Sequence, residues 1–151
     1  MIEKNKNIIK SCDTNILLYA VIPQFGEHKK ALEYLNSVKK DKLFIICELV
    51  LVELYNLLRN SKIWGSAMNS KEAVQIVNYF RQNPCWGVVD HEPGVMEAVW
   101  SHASKDSFKR TQIFDARLAL SLKAHGVHEF ATNNGKDFID FGFEKVMNPV
   151  L

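Results

Sequence analysis

The chain has few cysteines, and their spacing excludes the functions that cysteine pairs perform. Cys12, Cys47 and Cys85 are an odd number, and no two of them have the spacing of metal ligands or of a redox motif. Cys12 and Cys47 each end a short apolar run, as small buried residues do. We therefore expect reduced core cysteines and a reducing compartment.

The chain also lacks an excess of charge of either sign. Its 19 lysines and arginines nearly balance 17 aspartates and glutamates, for a formal net charge of +2. This balance gives no general electrostatic reason to expect a nucleic acid or a membrane surface as a partner. Any site for a polyanion has to come from local clustering of charges.

Long hydrophobic runs are missing as well. The longest apolar stretch, residues 16–22, is too short to cross a bilayer, and residues 1–10 lack the pattern of a signal peptide. These absences predict a soluble, cytoplasmic protein with no membrane association.

The chain does contain enough apolar residues for one globular domain. Of its 151 residues, 47% are hydrophobic and 24% charged. A chain of this size buries roughly 69% of its unfolded surface, so it needs neither disulfides nor a structural metal. No linker, repeat or low-complexity segment divides it, and we expect a single domain over residues 1–151.

Short apolar runs alternate with longer stretches of helical spacing. The runs predict strands at 8–12, 43–47, 87–89, 129–132 and 145–147. The longer stretches predict helices at 27–39, at 71–82 with Ser70 as cap, from 92–94 to 104, and from 111 or 112 to 125. This alternation is typical of an α/β domain with a parallel sheet, in which ligands bind beyond the carboxyl ends of the strands.

Asp13 directly follows the first predicted strand. Thr14, Asn15 and an apolar helix come next, so Asp13 is also a good helix cap. Its place at the carboxyl edge of the expected central strand favours a functional carboxylate. Both interpretations remain open on this segment alone.

Glu53 lies in a predicted helix, residues 48–59, among apolar neighbours. Leu49, Val50 and Leu57 are one turn away. A carboxylate on an apolar face is costly unless it is paired, protonated or bound to a cation. We therefore predict a functional role for Glu53.

Asp115 repeats this pattern in the last predicted helix. It shares a face with Leu118 and Leu122, whereas helical spacing assigns Arg117 and Ser121 to the polar side. A favourable interaction with the helix dipole explains Asp115 equally well when it is taken alone. The recurrence of acids in such positions favours function.

A fourth acid, Asp137, follows the predicted strand at 129–132 and a turn at 133–135. Its place after a strand is the only local support for a function, and taken alone the segment favours a surface acid. Acids that converge from several elements suit a hard cation such as Mg²⁺ or Mn²⁺. Such an ion activates water and stabilises charge on a phosphoryl group, which makes phosphodiester hydrolysis the expected reaction class.

Taken together, these segments resemble the PIN-domain ribonucleases, and among them the VapC-type toxins of bacterial toxin–antitoxin pairs. The similar segments are 13–20, 51–54, 114–120, 132–138 and 146–149. The resemblance implies a Rossmann-like PIN fold, a three-layer α/β/α sandwich with a central parallel sheet of four to five strands. It also implies a cognate antitoxin and a homodimer.

The resemblance further implies an endoribonuclease whose acidic cluster binds Mg²⁺ or Mn²⁺ and cuts RNA, such as tRNA or another structured RNA, with metal-activated water. Asp13, Glu53 and Asp115 match the three core acids of the family. Many relatives have a fourth acid where this chain has Asn134, and Asp137, three residues later, is taken as that acid.

Three residues are assigned supporting roles, and three more are candidates for binding the substrate. By the same resemblance, Asn134 is a water-mediated ligand, Thr132 an orienting hydroxyl and Asn15 a support for Asp13. Substrate phosphates need cations near the acids, and the candidates are Lys109, Arg110 and Arg117.

Two alternatives remain. A haloacid-dehalogenase-like phosphohydrolase also places an aspartate after its first strand, but it needs a second aspartate where this chain has Asn15, and its characteristic lysine is not found. A non-catalytic PIN-like module that binds RNA or a protein is the other. Such a module would be expected to lose acids from costly positions.

Overall fold

The computed structural model describes residues 7–151. Residues 1–6, which are part of the segment without a signal-peptide pattern, lie outside the described residues. Within the described range, the helices are too short or too polar for any of them to traverse a bilayer.

The described residues form five strands, seven α-helices and two 3-10 turns. The strands are β1 (Lys10–Cys12), β2 (Ile45–Cys47), β3 (Gly87–Val89), β4 (Glu129–Ala131) and β5 (Lys145–Met147). The helices are α1 (Thr14–Val21), α2 (His28–Val38), α3 (Glu48–Leu58), α4 (Ser61–Trp64), α5 (Ser70–Arg81), α6 (Val95–Ala103) and α7 (Gln112–Ala124). The 3-10 turns are Gly135–Asp137 and Ile139–Phe141.

All strand pairs are parallel, which confirms the predicted α/β class. The hydrogen-bonded ladders form a three-stranded sheet, β1-β4-β5, and a two-stranded sheet, β2-β3. A single parallel bridge between Lys10 and Phe44 joins them, so the spatial order is β3-β2-β1-β4-β5. This order agrees with the predicted central parallel sheet of four to five strands. The junction between β1 and β2 is narrow, because the strands are short and the bridge lies at the first residue of β1.

The order of the strands places β1 in the middle of the molecule. The helix that follows it, α1, is buried on most sides, with Ile16, Leu17 and Leu18 at most 4% exposed, and it packs against α2 and α3. The chain therefore leaves the central strand directly into a buried helix, and the residue at that junction, Asp13, is held between β1 and α1.

Two helix ends show how local sequence sets the boundaries. Ser70 is the first residue of α5 and not its cap, because Asn69 and Glu72 form a reciprocal capping box. At the other end of the domain, α7 stops before Gly126, as predicted. Its φ of 81° is easily reached by glycine, and it turns the chain towards β4.

Candidate active site

Asp13 caps a helix and also lies at the centre of the site, so the two interpretations of this residue are compatible. Its Oδ1 atom accepts a hydrogen bond of 2.8 Å from the backbone N–H of Thr14, at the start of α1. Its Oδ2 atom accepts one of 2.7 Å from the hydroxyl of Thr132, just after β4. The side chain is only 8% exposed. Adjacent strand ends therefore fix both oxygens of this carboxylate.

Burial is the largest influence on the pKa of Asp13 and raises it from its ordinary value. The hydrogen bonds from Thr132 and Thr14 oppose that rise, and the negative charge of Asp137 adds to it. The carboxylate is thus stabilised by protein donors and destabilised by desolvation and by a neighbouring acid.

The predicted supporting residues form a hydrogen-bond network around Asp13. The hydroxyl of Thr132 donates to Asp13 and accepts the backbone N–H of Asn134 at 3.0 Å. The side-chain oxygen of Asn15 accepts the backbone N–H of Asn133 at 3.3 Å. Asn15 and Thr132 therefore hold the loop after β4 against the start of α1.

Glu53 lies on α3 and is exposed, so the prediction of a buried carboxylate on an apolar face is wrong. The buried face of α3 is formed by Val50, Leu51, Leu54 and Leu58. Glu53 instead points into an open recess between α3 and α7 that no element of the described chain fills.

The pKa of Glu53 is nevertheless raised. Crowding by protein atoms desolvates the carboxyl although the residue as a whole is exposed, and the charge of Asp13 adds to this effect. The Thr14 hydroxyl lies close enough to the Glu53 carboxyl to oppose the rise of its pKa, but the two groups do not have the geometry of a hydrogen bond. Glu53 and Asp13 are therefore electrostatic neighbours without a shared donor.

Asp115 lies in the first turn of α7 and is half-buried. Its pKa is raised to about 6, first by desolvation and then by the charges of Asp13, Asp137 and Glu53. A favourable interaction with the helix dipole would lower this pKa, so the upward shift shows that the dipole alone does not explain the residue.

The prediction that Arg117 and Ser121 lie on a polar side of α7 is wrong for Ser121. Ser121 is only 1% exposed, because α7 packs against α6, β2 and the second 3-10 turn and so has little free surface. Arg117 is half-buried, and its Nη2 lies 3.3 Å from Nδ1 of His91. It lines neither of the cavities that border Asp115 or Asp137.

Asp137, in contrast to Asp13, is exposed. It lies in the first 3-10 turn, where its backbone N–H donates to the carbonyl of Asn134 at 3.0 Å. Its charge raises the pKa of both Asp13 and Asp115. The fourth acid is therefore close enough to the others to act on them, on the solvent side of the cluster.

Asp13, Glu53, Asp115 and Asp137 form what we call the acidic cluster. In the described part of the chain, no lysine or arginine forms a salt bridge with any of them. Within residues 7–151, no three acids, histidines or cysteines lie close enough together to share one metal ion. The cluster is unneutralised and does not yet have the geometry of a closed metal site.

The donor set nevertheless suits a hard divalent cation. Carboxylates and hydroxyls are the ligands that Mg²⁺ and Mn²⁺ prefer. In addition, the Thr14 hydroxyl is buried beside Asp13 and Glu53 and has no hydrogen-bond partner among residues 7–151. Such an orphaned oxygen is costly unless an ion or a water meets it.

The acidic cluster opens into a cavity that we call the apolar recess. It has a volume of about 730 Å³ and lies between α3 and α7, with Glu53 and Asp115 in its wall. Val52 and Phe114 line it and are 61% and 70% exposed. A large substrate can reach the acids from this side.

The basic residues predicted to bind substrate are less closely placed. Lys109 and Arg110 are exposed in the loop before α7. The backbone N–H of Lys109 donates to the side chain of Gln112 at 2.7 Å, which ties this loop to the start of α7. The loop is therefore anchored near Asp115, with its cations in solvent.

The sequence prediction missed four residues of this region: Thr14, Tyr19, Asn133 and Asn148. Thr14 carries the orphaned hydroxyl. Asn133 donates to the Tyr19 hydroxyl and accepts from Asn148, both at 3.0 Å, which links α1, the loop after β4 and the chain after β5. One indication of their role was present in the sequence: these polar residues lie within the segments 13–20, 132–138 and 146–149 that resemble the family.

A family model described as "PIN domain" matches residues 11–144. The chain is also 44% identical over 140 residues to Ribonuclease VapC24 of Mycobacterium tuberculosis, an alignment that covers 93% of this chain and 96% of that protein. The matched range contains the whole acidic cluster.

Solved structures give the same fold at low sequence identity. The chain matches VapC20 of Mycobacterium tuberculosis, a toxin that cleaves the sarcin-ricin loop, with a TM-score of 0.68 at 18% identity, covering 89% of this chain and 95% of that one. It matches a toxin-antitoxin complex from Klebsiella pneumoniae with a TM-score of 0.57 at 20% identity, covering 93% and 97%. At these identities the likeness concerns the fold alone.

Proposed function

The chain belongs to the PIN-domain family, and we propose that it is an endoribonuclease that uses Mg²⁺ or Mn²⁺ and acts as the toxin of a toxin–antitoxin pair. Because the chain belongs to this family, the alternative of a haloacid-dehalogenase-like phosphohydrolase is excluded. The observation that carries the proposal is the acidic cluster. The pKa values of Asp13, Glu53 and Asp115 are raised, in part by the charges of other acids of the cluster, and no cation of the described chain is paired with these acids.

Asp13, Glu53, Asp115 and Asp137 would hold the divalent ion, with the Thr14 hydroxyl as a further oxygen nearby. When bound, the ion would supply Lewis-acid activation of water and stabilisation of charge on the phosphoryl group. Without it, the carboxylates repel the phosphates of RNA, because like charges at short range in a partly desolvated site interact strongly. The cluster therefore admits substrate only when its charge is neutralised.

The residues of the chain itself orient the reaction. Thr132 and the N-terminus of α1 fix the carboxylate of Asp13 through one hydrogen bond to each oxygen, which leaves further lone pairs on both atoms. Asn15 and Asn133 hold the loop that carries Asn134 and Asp137. The side of the site that faces β1 is thus arranged before any ligand arrives.

We infer that the substrate is RNA, in keeping with the ribonuclease relative. Lys109 and Arg110 are exposed beside the start of α7 and are proposed to contact phosphates of the bound strand. Arg117 is directed to His91, and its proposed role in substrate binding has the weakest geometric support.

The proposed partner is a cognate antitoxin, since one structural neighbour is a toxin–antitoxin complex. The structure offers an apolar groove of about 320 Å³ between α2 and α5, in which Leu32 and Tyr79 are 41% and 62% exposed. We propose that this groove receives the antitoxin. A Leu32→Glu variant should lose binding to the cognate antitoxin, whereas Val74→Glu, outside the groove, should keep it. A homodimer is also proposed, by similarity to relatives.

The test of the enzyme proposal is cleavage of end-labelled RNA by the purified protein with Mg²⁺ or Mn²⁺, with and without a chelator. We expect internal cuts that leave 5′-phosphates and stop when the chelator is added. Cleavage that persists in excess chelator would rule out metal dependence. Binding of RNA without cleavage under either ion would favour the non-catalytic module.

A further inference from the structure

A second cavity lies on the other side of the acidic cluster, and we call it the polar recess. It has a volume of about 470 Å³ and lies between the loop before α7 and the two 3-10 turns. Its walls include His102, Lys105, Phe108, Gln112, Asp137 and Asp140. The size falls within the range of small-ligand pockets.

The polar recess and the acidic cluster share one residue, Asp137. Asp137 belongs to its wall and also acts electrostatically on Asp13 and Asp115. Thr111 lines the apolar recess and its neighbour Gln112 lines the polar one, so the start of α7 separates the two cavities. If a phosphate of an RNA strand lies at the acidic cluster, the adjoining nucleotide therefore has room in the polar recess.

The walls combine aromatic and hydrogen-bonding groups. The ring of His102 lies 5.2 Å from that of Phe141, which also lines the recess, and Phe108 is half-buried beside them. The oxygen of the Gln112 side chain already accepts from Lys109, which leaves its NH₂ group to donate. Asp140 is exposed, and a carboxylate supplies two oxygens that can accept hydrogen bonds.

Charge excludes a phosphate as the main occupant of this recess. Asp137 and Asp140 both line it and repel an anion, whereas they attract the N–H groups of a base. Lys105 lines it too, and the salt bridges found in residues 7–151 do not include this lysine. It is therefore available to a phosphate at the entrance, and the interior suits a neutral base.

We propose that the polar recess binds an unpaired guanine of the RNA, next to the phosphodiester that is cut. Guanine presents two adjacent N–H donors, N1 and N2, which match the two oxygens of Asp140, and an acceptor, O6, which matches the NH₂ of Gln112. Aromatic side chains that stack a splayed base, with polar groups on its edge, are the usual means of reading single-stranded RNA. This inference rests on the proposed function, because it assumes an RNA substrate.

The test is a binding measurement that needs no cleavage. Fluorescence anisotropy would compare three short uridine-rich RNAs whose central base is guanine, inosine or uracil, with the Asp13→Asn protein and Mg²⁺ present. We expect the guanine oligonucleotide to bind roughly tenfold more tightly than the inosine one, which lacks only the N2 amine, because a hydrogen bond to a charged acceptor is lost. In the Asp13→Asn, Asp140→Asn double variant, this difference should disappear.

Matched controls separate recognition from general charge effects. Asp106→Asn removes an exposed acid of the same loop that does not line the recess, and it should leave the guanine preference intact. Lys105→Ala should weaken all three oligonucleotides by a similar factor of about three, since a phosphate contact does not read the base.

The outcomes distinguish this inference from the enzyme proposal. Equal affinity for guanine and inosine, or a preference unchanged by Asp140→Asn, would overturn the guanine site even if the wild type cuts RNA efficiently. A preference that depends on Asp140 would support the site even if the wild type cut no RNA, in which case only the proposed catalysis would fail.

Discussion

The acidic cluster has two halves that are held in different ways. On the strand side, Asp13 is buried and receives a hydrogen bond on each oxygen, from Thr14 and from Thr132. On the helix side, Glu53 and Asp115 line the open apolar recess, and their pKa values are raised by desolvation and by neighbouring acids. The protein arranges the first half itself, whereas under the proposed function a bound cation makes the second half favourable.

Among the described residues, no three acids, histidines or cysteines lie close enough to share one metal ion. Like charges that face one another across a recess gain nothing by approaching until a cation lies between them. A site of this kind gives up stability of the free protein for function. Variants of the two halves should therefore affect activity and stability differently.

Removal of a carboxylate from the cluster is expected to have the largest effect, and on the helix side Asp115 is the acid to replace. Asp115→Asn should lower RNA cleavage about 100-fold or more, because the loss of a ligand to a catalytic cation removes several kcal/mol of transition-state stabilisation. The same variant should make the cation-free protein more stable at neutral pH, since it relieves repulsion from three acids. Single-turnover cleavage and urea unfolding measure the two effects. A variant that is both inactive and less stable would indicate a structural role instead.

On the strand side, Thr132→Ala should lower cleavage by about 10- to 100-fold, the range found when partners of metal ligands are removed. The Asp13 carboxylate keeps its charge but loses the hydrogen bond that fixes Oδ2. Thr132→Ser restores a hydroxyl and should recover most of the activity. The affinity for Mg²⁺, measured by calorimetry, should fall in the alanine variant and return in the serine variant. If serine fails to rescue, the methyl group and packing matter more than the hydroxyl.

The pH dependence of stability tests the repulsion directly. The pKa of Asp115 is about 6 in the fold against an ordinary 3.8, so between these values the native state holds more protons than the unfolded state. The free energy of unfolding of the cation-free protein should therefore fall as pH rises from 3.8 to about 6, by about 1 kcal/mol after allowance for solvent screening.

Two variants give the matched comparison. In Asp115→Asn, the fall in the free energy of unfolding that Asp115 causes over this pH range should vanish. In Asp106→Asn, which replaces an exposed acid, the same fall should remain. Urea unfolding of all three proteins over this pH range provides the measurement. A slope of equal size in the wild type and in Asp115→Asn would show that another group is responsible.

The smallest effect is expected outside both halves, in the basic loop. Replacing Lys109 and Arg110 together by alanine should raise KM for RNA about threefold with little change in kcat, since exposed cations contribute to phosphate binding and not to the chemical step. Lys62→Ala, an exposed lysine of α4, serves as control. An unchanged KM in the double variant would show that this loop is only solvated surface.

Much of the fold could be predicted because it depends on local patterns. The strands at Gly87–Val89 and Lys145–Met147 have the predicted bounds, and the position of Asp13 after β1 follows from an apolar run that ends in a capping residue. The narrow junction between β1 and β2, where one bridge joins the two ladders, could not be predicted, because it depends on how two short strands lie in space.

The candidate site was harder to predict. The exposure of Glu53 depends on the gap between α3 and α7, which hydrophobic spacing within one helix does not reveal. Ser121 is buried because several elements surround α7. The polar recess likewise depends on the contact between the loop before α7 and the 3-10 turns. Sequence patterns identify which face of a helix is apolar, but not what its polar face meets.

The most direct test of the central claim is the Mg²⁺ dependence of RNA cleavage by the wild type and by Asp13→Asn, with circular dichroism to confirm that both are folded. The account predicts that the wild-type rate rises with Mg²⁺ and saturates, and that Asp13→Asn is at least about 100-fold slower at every concentration. Equal rates for the two proteins, or a wild-type rate independent of Mg²⁺, would contradict the claim that this acidic cluster is a metal-dependent nuclease site.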